Sequence, residues 1–242
     1  MDSHRPEHIG AYHNMPALFR RRGYELKFEP LRPSHVQESD LVNGLTPEEI
    51  VSDLAMQFGK WELVAVRGDG GAPEVMVVFL ILADSNAASK SDDFQSLFTL
   101  AEKRAKDVAD GATLKEVLVV APTAITTKPN LKQKMIVIAR ETAKKHPERC
   151  LRFHPYYVFS TVVPDQPCVP AHSVIPASEV PRYVPGFVPG ARGVAPASVL
   201  PLIHCNEDAA AIWFGVRPRD FVLVMRPSET AGEFTPAVRY AV

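Results

Sequence analysis

The sequence predicts a two-domain chain of α/β (α+β) class: a larger mixed domain over residues 1–150, a connector over 151–167, and a small mixed α+β module over 168–242. Three observations lead there. Helical and strand periodicities alternate through the first 150 residues. Ten of the twenty-two prolines then crowd between His154 and Pro201, where they exclude long helices and central strands. All eleven lysines precede residue 146, whereas every Lys/Arg cation from Leu151 onward is arginine.

The elements of the larger domain follow in order. His8 to Arg22 carries Ile9, Tyr12, Met15, Leu18 and Phe19 on one helical face, and Gly23 ends that helix. Thr46-Pro47-Glu48-Glu49 reads as a helix start, with a hydroxyl cap, proline at the first helical position and acids against the dipole. Trp61–Val66 and Val75–Leu82 read as strands joined by a hairpin turn at Gly68-Asp69-Gly70-Gly71. Phe94–Val108 is amphipathic, with Phe94, Leu97, Phe98, Ala101, Ala105 and Val108 inward; Val117–Ala121 is a short buried strand, and Leu131–Lys145 a further helix.

Beyond residue 150 the near-repeat Val184-Pro-Gly-Phe-Val-Pro-Gly190 predicts a turn-rich insertion over 184–193. A short helix is expected over Glu207–Phe214, ending at Gly215, and a strand over Asp220–Met225. The final apolar segment places the end of the sequence in a sheet, with the polar stretch Arg226–Gly232 standing off its edge.

Composition is that of an ordinary globular protein, with 46% hydrophobic and 23% charged residues and a formal net charge of −1. That balance argues against coating nucleic acid by bulk electrostatics. The longest apolar stretch, Val75–Ala83, is half of what a membrane span requires, so no membrane partner is expected. Met1–His8 lacks the apolar core of a secretory signal, and Cys150, Cys168 and Cys205 form neither a disulfide framework nor a metal spacing. A reducing compartment is the expectation.

Catalytic constellations are thin. His4, His8 and His13 share part of a helical face, but no cysteine or carboxylate completes a coordination sphere. Gly68–Gly71 lacks the lysine and the strand-to-helix context of a phosphate loop. No Ser-His-Asp set or nucleophile elbow is present. A metal-dependent nuclease needs clustered carboxylates with a nearby lysine. The candidate place is around Asp69 and Glu74, where the chain continues Val-Met-Val-Val with no lysine. No catalytic residue, metal or cofactor is therefore assigned.

Two stretches point to binding instead. Thr126, Thr127, Lys128, Lys132 and Lys134 sit at a strand-to-helix junction, where short hydroxyls and lysines reach phosphates. In the closing stretch, Gly232 permits a positive φ, Ser228 and Thr230 satisfy turn amides, and Arg226 and Arg239 flank the turn on adjoining apolar segments. That combination reads as an interaction edge.

The closing wording, Arg226-Pro-Ser228-Glu229-Thr230-Ala-Gly232, with Arg239 near the end, resembles the fifth common subunit of eukaryotic nuclear RNA polymerases and its smaller archaeal counterpart. Leu200-Pro-Leu-Ile203, Asp208-Ala209, Phe214-Gly215, Val216–Arg226 and the upstream Val169-Pro-Ala-His172 extend the likeness. Arg22-Gly-Tyr24 and Ile125-Thr-Thr127 add weaker matches in the same order. Leu202, Ala209, Thr127 and Arg219 replace the family's arginine, proline, proline and glycine, which marks a divergent or polymerase-specific lineage.

The resemblance implies a non-catalytic subunit of a nuclear RNA polymerase. It implies an N-terminal nuclease-like jaw domain without catalytic residues, beside downstream duplex DNA, and a C-terminal assembly module docked on the largest subunit among the other polymerase subunits. His172, Arg226, Ser228, Glu229, Thr230, Gly232 and Arg239 are then the expected partner interface. Thr126, Thr127, Lys128, Lys132 and Lys134 are the expected sequence-independent DNA contacts. The location implied is the nucleus, or the nucleolus for a chain dedicated to the ribosomal RNA polymerase. The alternatives are the metal-dependent nuclease and a free-standing transcription or chromatin adaptor.

Overall fold

A computed structural model describes residues 7–28, 60–68, 71–81, 91–108, 110–122, 129–190, 195–227 and 234–242. Contacts divide the chain into two compact units, Met1–Thr161 and Val162–Val242. Both are mixed α and β, each built on its own sheet, which agrees with the α+β class. The helix start at Thr46-Pro47 lies outside the described residues.

The first unit holds a five-stranded sheet in the order β1 (Glu25–Phe28), β2 (Lys60–Arg67), β3 (Glu74–Ile81), β4 (Thr113–Ala121), β5 (Cys150–Pro155). Strands β2 and β3 pair antiparallel from Lys60↔Ile81 to Arg67↔Glu74, the register a hairpin at Gly68–Gly71 demands. Strands β3, β4 and β5 run parallel, because helices α2 (Ser91–Val108) and α3 (Pro129–Lys145) return the chain each time. The last strand, β5, begins where a connector was expected and instead completes the first unit's sheet.

Every residue of β3 from Val75 to Ile81 is fully buried, because both faces of the sheet are covered. On one face Val75, Val77, Phe79, Val117 and Val119 pack under Leu97, Phe98, Ala101 and Ala105 of α2 and Met135 of α3. Toward the other face lies α1 (Glu7–Arg21), which buries Ala11, Met15, Leu18 and Phe19. Tyr12 leans on Trp61 with ring centroids 4.5 Å apart, and Asn14 donates to the Phe159 carbonyl at 2.9 Å. Helix α1 stops where the sequence says it does: Gly23 takes φ 75°, and Tyr24 N–H returns to the Phe19 carbonyl at 2.8 Å.

The second unit has a four-stranded sheet ordered β6 (Ala171–Ile175), β8 (Phe221–Pro227), β9 (Phe234–Ala241), β7 (Leu202–Ile203). Strands β8 and β9 form an antiparallel pair, β6 flanks β8 antiparallel, and β7 joins β9 in parallel. Along β8, Phe221 and Leu223 face one apolar cluster with Ile175, Val180 and Phe187. Val222 and Val224 face another with Ala211 and Val216. The 184–193 segment is thus more than an insertion over its described part. Phe187 is 5% exposed and packs edge-on to Phe221, while Gly186 and Gly190 turn the chain at φ 85° and 84°.

Candidate partner-docking site

Three of the expected interface residues, His172, Arg226 and Arg239, line one hollow of about 370 Å³ on the second unit. Strand register explains the convergence. His172 pairs with Val224, and Arg239 with Val222. Side chains two residues apart on a strand share a face, so Val222, Val224 and Arg226 project with His172 and Arg239. The short helix Ala209–Trp213 borders the hollow with Ala209 and Ala210. Asp208 caps that helix, its carboxylate accepting from Ala211 N–H at 3.0 Å.

The rim is polar and the base aliphatic. His172 Nδ1–H donates to the Pro170 carbonyl at 2.7 Å, and the ring stacks on Phe214 with centroids 5.8 Å apart. In the neutral ring this contact leaves Nε2 as the acceptor. Arg239 Nη1 donates to the Leu202 carbonyl at 3.4 Å. Neither Arg226 nor Arg239 forms an ion pair among the described residues. Val163, Val169, Pro170 and Val224 supply the apolar lining. Ser228, Glu229, Thr230 and Gly232, the rest of the expected interface, lie outside the described residues.

The expected DNA contacts are less assembled. Thr126, Thr127 and Lys128 lie outside the described residues. Lys132 is within α3, and Lys134 on the same helix is exposed, as are Arg140, Lys144 and Lys145. Lys144 is tied to Glu141 at 2.9 Å, and Arg149 pairs with Glu102 and, at 3.2 Å, with Glu148.

The place weighed for a nuclease reads differently in three dimensions. Glu74 is held by Arg67, whose Nε lies 3.1 Å away, and by Lys115 at 3.3 Å. The lysine missing locally arrives from the neighbouring strand β4. The Arg67 hydrogen bond holds the Glu74 carboxyl below its ordinary range against the opposing effect of burial, with Lys115 adding to the pull. A single carboxylate neutralised twice is a structural ion pair rather than a metal ligand set. Asp69 lies outside the described residues. Among the described residues no three His, Cys, Asp or Glu side chains gather to hold a metal ion, and no helix is long and apolar enough to cross a membrane.

Sequence reasoning missed a second polar constellation, buried in the first unit. Arg22 Nη1 lies 2.6 Å from Glu116 Oε1, and Arg152 Nε lies 3.3 Å from the same oxygen. His154 sits beside them at 2% exposure, its Nε2 without a hydrogen-bond partner among the described residues. Burial first, then the Arg152 and Arg22 charges, push its pKa down to about 3, against an opposing pull from Glu116. The signal was Glu116 itself, an acid set directly before the buried run Val117–Ala121.

No protein-family model matches the chain. It is 31% identical over 108 residues to the DNA-directed RNA polymerase RPB5 homolog of African swine fever virus, isolate Tick/South Africa/Pretoriuskop Pr4/1996, covering 44% of this chain and 49% of that one. To the protein of the same name from isolate Pig/Kenya/KEN-50/1950 it is 25% identical over 157 residues, 65% of this chain and 68% of the other. The isolate Tick/Malawi/Lil 20-1/1983 protein gives 25% over 159 residues, with the same shares. The chain spans about half the length of the first of these curated relatives and about two thirds of the others. The chain is a divergent relative of the RPB5-homolog proteins of DNA-directed RNA polymerase.

Proposed function

We propose that the chain is a non-catalytic subunit of a multisubunit nuclear DNA-directed RNA polymerase, docking on the largest subunit through its second unit. The observation that carries this reading is its relation to proteins named as RNA polymerase RPB5 homologs. The convergence of His172, Arg226 and Arg239 on one hollow supports assigning the docking to that unit. The first unit takes the part of the jaw, beside downstream duplex DNA. Thr126, Thr127, Lys128, Lys132 and Lys134 make phosphate contacts there that do not depend on sequence. The solvated cations along α3 favour that role, and the neutralised Glu74 disfavours a nuclease. Nuclear location rests on the likeness to nuclear subunits rather than on the viral relatives.

Affinity purification of the tagged chain from its source, with identification of the recovered proteins, tests the reading. Recovery of the largest polymerase subunit in stoichiometric amount is the expected result. A stable complex without any polymerase subunit points to the adaptor reading instead.

A further inference from the structure

The hollow of the second unit has a chemistry of its own. Its polar rim is two guanidinium groups and an imidazole, and its one carboxylate, Asp208, is turned to cap a helix. Its lining is aliphatic, from Val163, Val169, Pro170 and Val224. Arginine presents a planar fork that matches a carboxylate with two parallel hydrogen bonds. Arg226 and Arg239 stand four residues apart in strand register, since Arg226 pairs with Thr235 and Arg239 with Val222. At about 3.3 Å per residue their backbones are roughly 13 Å apart. Carboxylates separated along a partner segment, with aliphatic side chains between them, complement that spacing.

We infer that this hollow receives an acidic, aliphatic segment of a partner protein, whose carboxylates pair with Arg226 and Arg239. The inference deepens, and rests on, the reading of this unit as a docking module. Nucleic acid fits the same surface poorly. From Val162 to Val242 there is no lysine, and carboxylates outnumber arginines, so the unit lacks the array of solvated cations that a phosphate backbone draws on. Among the described residues the hollow has no exposed aromatic platform for bases, and Asp208 repels phosphate. Charge complementarity with an apolar base is the arrangement of protein interfaces that place arginine at their centre.

The test presents an array of twelve-residue random peptides to the full chain, to Arg226→Gln/Arg239→Gln, and to Arg226→Lys/Arg239→Lys. Arg182→Gln, exposed and outside the hollow, is the control. Thermal melts first establish that all variants fold. For the wild type and the control, the enriched peptides should carry more Asp and Glu than the array average, interspersed with Val, Leu or Ile. The glutamine variant should lose about tenfold or more in affinity for them, and the lysine variant should fall between. Absence of carboxylate excess, or equal binding by the glutamine variant, overturns the inference. So does duplex DNA or inorganic phosphate binding that the glutamine variant abolishes while peptide binding persists. Recovery of polymerase subunits with no acidic preference on the array sinks this inference alone. An acidic preference without polymerase recovery sinks the polymerase reading alone.

Discussion

Arg22 and Glu116 meet 2.6 Å apart with side chains only 4% and 5% exposed, an ion pair that fastens the end of α1 to the central sheet. Arg152 shares the same carboxylate. Removing the acid leaves two guanidinium groups in a dry interior without their countercharge, the situation in which breaking a buried pair costs most. Glu116→Gln is therefore expected to destabilise the first unit by about 3–5 kcal/mol in urea denaturation. A loss under about 1 kcal/mol shows that water reaches the site.

His154 makes stability depend on pH, with a definite sign. Its folded pKa, about 3, lies below the unfolded value near 6.5. The unfolded chain therefore binds the proton first as pH falls. The contribution of the neutral ring is complete above about pH 6.5 and is lost from there down towards pH 3, at roughly 1.4 kcal/mol per pH unit. Between pH 6.5 and 5, where carboxylates stay ionised, the wild type should lose stability on this slope and His154→Leu should not. Parallel curves for the two proteins count against the buried neutral histidine.

Arg219 occupies φ 77°, the only positive φ outside glycine among the described residues. It stands where the related subunits use glycine, and its amide is committed to the Ala241 carbonyl at 2.9 Å, so the backbone is not free to relax. A branched or long side chain there costs about 1 kcal/mol. Arg219→Gly should raise the stability of the second unit by up to about that amount, less glycine's larger unfolded-state entropy. Gly215→Ala, at φ 69°, should do the reverse. Differential scanning calorimetry reads both.

Phe187 tests whether the proline- and glycine-rich stretch is core. Phe187→Ala should cost about 3 kcal/mol or more and speed amide exchange in β8, which packs beneath it, without altering exchange in the first unit. A cost under about 1 kcal/mol marks the stretch as a removable loop.

Replacing Lys128, Lys132 and Lys134 together by alanine should leave polymerase recovery unchanged and weaken duplex DNA crosslinking, more visibly at low salt. Crosslinking equal to wild type at all salt concentrations marks these lysines as a solvated helix face.

Legibility in the sequence tracked the range of the interactions. Helix α1 was readable because Met15, Leu18 and Phe19 share a face and Gly23 stops it. Strands β2 and β3 were readable from local alternation and a turn. β5 was not, since Cys150–Pro155 is a strand only by pairing with β4, more than thirty residues earlier. Glu74 was read without a lysine because Lys115 arrives from another strand. Arg226 and Arg239 were legible as a pair flanking a turn, but their common hollow was not. It also needs Pro170 and His172, brought alongside by the pairing of β6 with β8. Phe187 was hidden among prolines and glycines, whose composition masks a single buried aromatic.

The order of strands in the second sheet sets when that unit can exist during synthesis. β9 is the shared neighbour of β8 and β7, and the ribosome delivers it after both. Until residues 234–241 emerge, β7 has no partner, the two rows of arginine and histidine do not face a common space, and only the β6–β8 ribbon can form. A two-stranded ribbon is at best marginal in water. The docking surface is therefore assembled late and all at once, leaving nascent chains unable to capture a partner early.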